Sequence, residues 1–131
     1  MVPPEVRRKR DQLAAAECDV AWCDDGRLDD ENMEGVSPGG YLNPFGWYVI
    51  GTTGGGNAVV VSGDDPGVYF ADYTWYGDKE IDFQDYRNKG EYVRVELNEP
   101  NVRRSLFPLA GSIEEFLANI AQIAVRLDKI G

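Results

Sequence analysis

The segment "IGTTGGGNAVVV", from Ile50 to Val61, decides the fold because it places three consecutive glycines and an asparagine between two apolar runs. A phosphate-binding loop leads its glycines directly into a helix, whose N-terminal amides hold the anion. Here the glycines lead into "AVVVS", which favours a strand, and no Lys-Ser or Lys-Thr pair follows them. The pattern predicts a β-hairpin with a bulge or a close backbone approach nearby. Its turn comprises residue types that tolerate positive φ, namely Gly54, Gly55, Gly56 and Asn57.

The sequence on both sides of this hairpin predicts further short strands. "FGWYVIG" and "NAVVVS" are the arms of the hairpin, and "GVYFADYTW" follows the turn signal "GDDPG". "EYVRVEL" alternates apolar and charged residues, as a half-buried strand does. Because the connecting turns are short, neighbouring strands are expected to be antiparallel.

Helices are predicted at both ends of the chain. Residues Pro4 to Glu17 are rich in helix formers, and a proline suits the first helical position because it has no amide hydrogen to satisfy there. Near the other end, Ser112 and Glu115 form a capping box ahead of apolar residues at helical spacing. The acidic stretch from Cys23 to Gly40 is predicted to be a long, partly mobile loop. We therefore expect one α+β domain over residues 1–131, with a central, mostly antiparallel β-sheet flanked by an N-terminal and a C-terminal helix.

The formal net charge of −10 at pH 7 restricts the classes of partner. Such a field repels phosphate backbones and anionic membrane surfaces, which argues against nucleic acid and membrane partners. The basic residues Arg7, Arg8, Lys9 and Arg10 are the exception, since they could act as a separate arm. The same field attracts and steers a basic protein partner, although acidity can also serve solubility alone.

The absence of histidine from the sequence excludes Ser-His-Asp and Cys-His catalysis and imidazole metal ligation. Cys18 and Cys23 have C-x4-C spacing with no second ligand pair, so we predict reduced structural thiols rather than a zinc or redox site. A disulfide between them is the alternative, and no cofactor or metal is expected. The N-terminal segment lacks an apolar h-region and the longest apolar runs are far shorter than a membrane span, which indicates a cytoplasmic protein.

The segment from residue 62 to residue 86 interleaves acidic and aromatic residues. It lacks the spacing of a calcium loop, and only the number of acids supports a carboxylate-based hydrolase, since the separation of a catalytic pair is not specified. Exposed Tyr and Trp beside acids are typical of a protein-binding hot spot, whereas the same aromatics packed against the C-terminal helix would be core. The candidate partner-binding residues are Asp64, Asp65, Asp72, Tyr73, Trp75, Tyr76 and Asp78.

In order along the chain, "YVIGTTGGGNAVVVS", "DDPGVYFAD" and "SIEEFLANI" resemble the SUKH superfamily, which includes the yeast cell-wall assembly regulator and many bacterial immunity proteins. Members show a strand ending in Ile-Gly, a Gly-Gly turn, an apolar strand, a "GxVYF"-like strand and a closing helix. The matching positions are Ile50–Gly51, Gly54–Asn57, Ala58–Val61, Gly67–Phe70 and Ser112–Leu117. The resemblance covers residues 41–123. The N-terminal part departs from it, because a short "VPPEV" segment and an acidic stretch replace a longer amphipathic region with a Leu-Pro motif.

The resemblance implies an α+β domain with a central, mostly antiparallel sheet and, in bacterial members, neutralisation of toxins that are often nucleases. Together with the acidity, it predicts a non-enzymatic protein-binding module, an immunity protein that occludes the active site of a basic toxin. A small-molecule or nucleotide-binding regulatory domain that uses the glycine-rich turn is the alternative. The sequence does not specify an oligomeric state.

Overall fold

The computed structural model describes residues 2–85 and 89–130, the last two of these through their backbone only. The fold is α+β, as predicted. Its strands are β1 (Ala21–Trp22), β2 (Trp47–Thr52), β3 (Ala58–Ser62), β4 (Val68–Ala71), β5 (Glu80–Asp85), β6 (Glu91–Glu96) and β7 (Phe107–Ala110). Its α-helices are α1 (Pro4–Leu13), α2 (Asp25–Glu31), α3 (Gly39–Leu42), α4 (Glu99–Ser105), α5 (Ile113–Ala118) and α6 (Ile120–Ile130).

Five of the strands form one antiparallel sheet in the order β1-β2-β3-β4-β7. The predicted hairpin is confirmed, because Trp47 pairs with Ser62 at its open end and Thr52 pairs with Ala58 beside the turn. Strands β5 and β6 form a separate antiparallel pair, which we call the ribbon. Short connections join the antiparallel pairs β2–β3, β3–β4 and β5–β6, as predicted. The pairs β1–β2 and β4–β7 are also antiparallel, although longer segments connect them.

The hairpin turn needs only one of its three glycines for its backbone conformation. The Thr53 N–H donates to Asn57 O at 2.9 Å, and the Gly56 N–H donates to Thr53 O at 3.0 Å. Among the glycines of the turn, only Gly56 has a positive φ, +86°. The predicted bulge lies elsewhere, at the register shift between Val49 and Gly51 within β2.

Gly56→Ala is expected to lower the free energy of unfolding by about 1–2 kcal/mol, because an L-residue in the left-handed region costs roughly that much. The added Cβ would also lie 3.3 Å from the Tyr73 ring. Gly54→Ala is the matched control, since its Cβ would meet open space and should leave the stability unchanged or slightly raised. Urea unfolding compares the two variants, and equal stabilities would contradict the expectation.

Both faces of the five-stranded sheet are covered, and this explains the uninterrupted apolar run of β3, in which every residue is buried. On one face, Val59 and Val61 pack in a core with residues of α1, α2, α5 and α6. On the other face, Ala58 and Val60 pack in a second core with residues of α3, α4 and the ribbon. The domain therefore has three layers, with the sheet in the middle.

Three predictions about individual elements are wrong, and two of them concern where a strand or a helix ends. The strand predicted to continue through Trp75 ends at Ala71, because the Asp72 side chain accepts the Thr74 N–H at 2.8 Å and closes a turn of 3-10 helix. The closing helix is interrupted at Asn119, whose non-helical backbone separates α5 from α6. In both cases a short polar side chain hydrogen-bonds locally and ends the regular element.

The acidic stretch from Cys23 to Gly40, predicted to be a mobile loop, contains α2 and the start of α3. The two helices approach each other closely at adjacent glycines. A Cβ on Gly39 would lie 2.1 Å from Glu31 O, and one on Gly40 would lie 2.4 Å from Met33 O. These glycines therefore permit a backbone contact that fixes the segment against itself.

Candidate protein-binding site

The seven predicted contact residues do not form one patch. Asp64 and Asp65 lie in the connection between β3 and β4, whereas Asp72 and Tyr73 follow the other end of β4. The four residues of β4 separate the two groups by roughly 13 Å, at the usual rise per residue of a strand. The structure therefore divides the predicted surface into separate positions that must be judged one by one.

Asp65 holds its own loop together. Its Oδ1 accepts the Gly67 N–H at 2.8 Å and the Tyr69 hydroxyl at 3.1 Å, and its Oδ2 pairs with Arg103 at 3.3 Å. Both oxygens of the Asp65 carboxylate are therefore bound by groups of the same chain. The neighbouring Asp64 is exposed and remains accessible to a partner.

Trp75 and Tyr76 are only 6% and 7% exposed, so the prediction that they lie on a contact surface is wrong. The Trp75 ring packs against Phe83 with centroids 6.1 Å apart. The Tyr76 hydroxyl lies 2.7 Å from Ser105 Oγ, which itself donates to Val102 O, so the tyrosine is the donor. Burial raises the pKa of Tyr76 well above its usual value. Both rings belong to the core, as the alternative interpretation predicted. They pack with residues of the ribbon, however, and not with the C-terminal helix.

Tyr73 is the one aromatic residue of the predicted set that stays accessible, with 44% exposure. Its N–H donates to Asn57 Oδ1 at 3.2 Å, and its ring covers Gly56. The Ser37 hydroxyl donates to its carbonyl oxygen. Tyr73 therefore lies where the hairpin turn meets the segment between α2 and α3.

Asp78 lies at a cleft that the sequence did not reveal. The cleft has a volume of about 700 Å³ and opens between the segment around α3 and the end of the ribbon. Glu34 and Asp78 are its exposed acidic residues, and Tyr41 and Phe45 supply two aromatic rings. The residues that carry its chemistry are Asn32, Glu34, Tyr41, Phe45, Asp78 and Leu97.

The negative charge of the cleft is not balanced by basic residues among those that the structure describes. Among the described residues that line it there is no Lys or Arg, so Glu34 and Asp78 meet no cation from that part of the chain. A second cleft of about 480 Å³ adjoins it and shares Glu34, but there the Arg7 guanidinium pairs with Asp29 at 3.0 Å. Of these two clefts, as the described residues line them, the larger therefore offers carboxylates beside aromatic rings to a cationic group from outside.

Asn32 fixes the floor of this cleft. Its Oδ1 accepts the Val49 N–H at 2.8 Å, and its Nδ2 donates to Val49 O and to Leu28 O, both at 2.8 Å. The side chain thus pairs with β2 as a neighbouring strand would and joins α2 to the sheet. Sequence reasoning missed Asn32 because an asparagine in an acidic stretch looks like an ordinary loop residue.

The basic residues Arg7, Lys9 and Arg10 form hydrogen bonds with other parts of the domain. They therefore do not belong to a separate basic arm, which was the alternative for nucleic-acid binding. The Arg10 guanidinium donates to Asp25 Oδ1 at 2.7 Å, and Arg7 donates to the same oxygen at 3.2 Å. The Lys9 ammonium donates to Asp65 O at 2.8 Å. The hydrogen bond from Arg10 lowers the pKa of Asp25 below its usual value. These residues tie α1 to α2 and to the end of β3.

Both cysteines have free thiols, as predicted. Burial raises the pKa of Cys23 to about 11, and it also raises the pKa of the less buried Cys18. The thiolate, not the thiol, is the nucleophile, so both groups are suited to packing and not to catalysis at neutral pH. The turn at Gly54–Asn57 leads into β3, so no helix N-terminus follows it that could hold a phosphate.

No family model, curated protein or solved structure matches the chain. Across residues 2–85 and 89–130, no helix has the length and apolar character that crossing a membrane requires. In the same residues, His, Cys, Asp and Glu nowhere gather into a group of three or more that could hold a metal ion. The family resemblance therefore stays a prediction, and the cleft is the feature on which a function can be argued.

Proposed function

We propose that this chain is a non-enzymatic protein-binding module, an immunity protein that neutralises a basic toxin domain in the cytoplasm. The observation that carries the proposal is the uncompensated acidic cleft, with Glu34 and Asp78 beside the rings of Tyr41 and Phe45. The net charge of −10 supports it, because such a field raises the association rate of a basic partner. The resemblance to the SUKH superfamily agrees with this class of protein.

The cleft suits a lysine or arginine side chain of the partner. The cationic head would meet the carboxylates of Glu34 and Asp78, and the apolar stem would lie along Tyr41 and Phe45. Aromatic faces add a cation–π attraction to the ion pairs. A partner held by such an anchor has the surrounding surface covered, and the toxin is inactive when that surface includes its active site.

The partner is identified by capture on tagged protein from lysate of the source cells, at low and at high salt. The captured protein is then purified, and it is also expressed alone and together with this chain. We expect it to be basic, to arrest growth when expressed alone, and to be harmless in the presence of this chain. A captured protein that does not affect growth would contradict the immunity function.

Replacing both cleft carboxylates, as Glu34→Gln with Asp78→Asn, is expected to raise the dissociation constant of the purified partner at least about tenfold, since hydrogen bonds to charged groups contribute roughly 1.5–3 kcal/mol each. Glu114→Gln with Asp128→Asn is the matched control, because these exposed acids on α5 and α6 change the net charge equally. Calorimetric titration compares the pairs. Equal losses would mean that the overall field acts alone and that the cleft is not the site.

A further inference from the structure

The sheets of this domain differ in how their edges are protected. At the edge of the main sheet, β7 contains Pro108, which has no N–H to offer, and its Leu109 O accepts a hydrogen bond from Arg126 at 3.1 Å. The opposite edge strand, β1, is only two residues long. In the ribbon, Ile81 of β5 forms an isolated β-bridge with Tyr76 on the side away from β6, and α4 packs against β5. Among the described residues, β6 is therefore the long edge without such cover.

The register shows which backbone groups of β6 point outward. The Leu97 N–H donates to Lys79 O at 2.8 Å, just beyond the pair formed by Glu96 and Glu80. Because hydrogen-bonded pairs alternate along an antiparallel ladder, Val93 and Val95 direct their N–H and C=O groups towards β5. The outward groups are those of Tyr92, Arg94 and Glu96, and no strand of the described residues pairs with them. Glu96 O accepts a hydrogen bond from Asn101 Nδ2 at 2.9 Å, which leaves both groups of Tyr92 and Arg94 and the N–H of Glu96 for a partner.

The side chains around this edge favour an apolar and basic neighbour. Tyr92 is 70% exposed, the highest value among the exposed large hydrophobic residues that the structure describes. The outer face of the ribbon carries Glu80, Asp82 and Glu96, against the single cation Arg94. Arg94 already pairs with Asp82 at 3.3 Å and with Glu80 at 3.7 Å. The face therefore has an excess of negative charge beside an exposed ring.

We propose that β6 receives an extended, basic segment of the protein partner as a third strand of the ribbon. This inference rests on the proposed function and specifies how the partner binds. The main chain of the segment would bond to the outward N–H and C=O groups of Tyr92 and Arg94 and to the N–H of Glu96, as in other cases of strand addition. On the face that the segment would share with Tyr92 and Glu96, one lysine or arginine would lie opposite Glu96, and the apolar stem of another would lie beside Tyr92.

The first test uses a short synthetic peptide of alternating lysine and threonine at millimolar concentration, with amide hydrogen exchange measured by NMR. In the free protein, the amides of Tyr92, Arg94 and Glu96 should exchange quickly, while those of Val93 and Val95 are protected by β5. The peptide should slow the three outward amides and leave the other two unchanged. Unaltered exchange at all three would overturn the proposal.

The second test compares Arg94→Pro with Arg94→Ala against the purified partner. Both variants remove the same side chain, but only proline removes the outward N–H, and an edge strand tolerates proline at such a position. We expect Arg94→Pro to bind about tenfold more weakly than Arg94→Ala, because a lost main-chain bond and the steric clash of the ring combine. The urea midpoint of each variant checks that the ribbon has folded.

These experiments distinguish a failure of the strand-addition proposal from a failure of the proposed immunity function. A basic toxin that binds both Arg94 variants equally would overturn strand addition while the immunity function stands. A capture experiment that yields no basic toxin would refute the immunity function, and the peptide experiment would still decide whether β6 accepts a strand.

Discussion

Gly39→Ala is expected to lower the free energy of unfolding by about 3 kcal/mol or more, at the upper end of the usual cost of overpacking. Its Cβ would lie 2.1 Å from Glu31 O and 2.9 Å from Asn32 Oδ1. Glu31 O is a main-chain atom at the end of α2, so a side-chain rotation cannot relieve the clash. The variant must instead separate α2 from α3, which also deforms the cleft that both segments line.

Gly26→Ala is the control for this substitution. Gly26 lies in α2, and its Cβ would meet Asp24 Oδ1 at an ordinary 3.6 Å. We expect this variant to be more stable than the original chain by about 0.4–1 kcal/mol, because alanine reduces the conformational freedom of the unfolded state. Urea unfolding measures both. A Gly39→Ala protein as stable as the Gly26→Ala protein would show that the helices have room to move apart.

Asn32→Asp is expected to cost about 3–5 kcal/mol of the free energy of unfolding, the range found when a buried charge loses its partner. The substitution keeps the shape of the side chain. It replaces the Nδ2 donor with an oxygen that faces Val49 O and Leu28 O, each previously an acceptor at 2.8 Å. Three oxygens would then meet without a proton between them, at a residue that is only 9% exposed.

Asn101→Asp makes the same chemical change at a more accessible site. The Asn101 Nδ2 donates to Glu96 O at 2.9 Å in an exposed hydrogen bond, and the residue lies in the first turn of α4. Water can replace that bond, and a negative charge near a helix N-terminus is favourable, so we expect a loss of about 1 kcal/mol or less. Similar losses at both positions would refute the role assigned to Asn32 in joining α2 to the sheet.

The hairpin was predictable because its determinants are local. A glycine that can adopt positive φ and a β-branched run that favours a strand lie within a few residues of each other. Both features are present in the fold, as the turn at Gly56 and as strand β3. The capping box at Ser112 was predictable for the same reason, and its hydroxyl accepts the Glu115 N–H at 3.0 Å. Local hydrogen bonds of this kind depend little on the rest of the chain.

The candidate site was predictable only in part. Of the residues proposed as contacts, Asp78 lines the cleft, Tyr73 and Asp64 are exposed, and Trp75 and Tyr76 are buried. An aromatic residue next to acids has the same local pattern on a surface and in a core. Whether it is exposed depends on which distant element covers it, and here that element is the ribbon.

The sequence by itself determined the fold class, the central hairpin, the helices at both ends and the acidic character that points to a basic partner. Only the tertiary structure decided the rest: the ribbon, the burial of Trp75, the pairing of Arg10 with Asp25, and the cleft between Glu34 and Asp78. The physical reason is the distance along the chain over which each interaction acts. Turns, caps and strand propensities act between near neighbours, whereas burial and charge pairing depend on residues that are close only after folding.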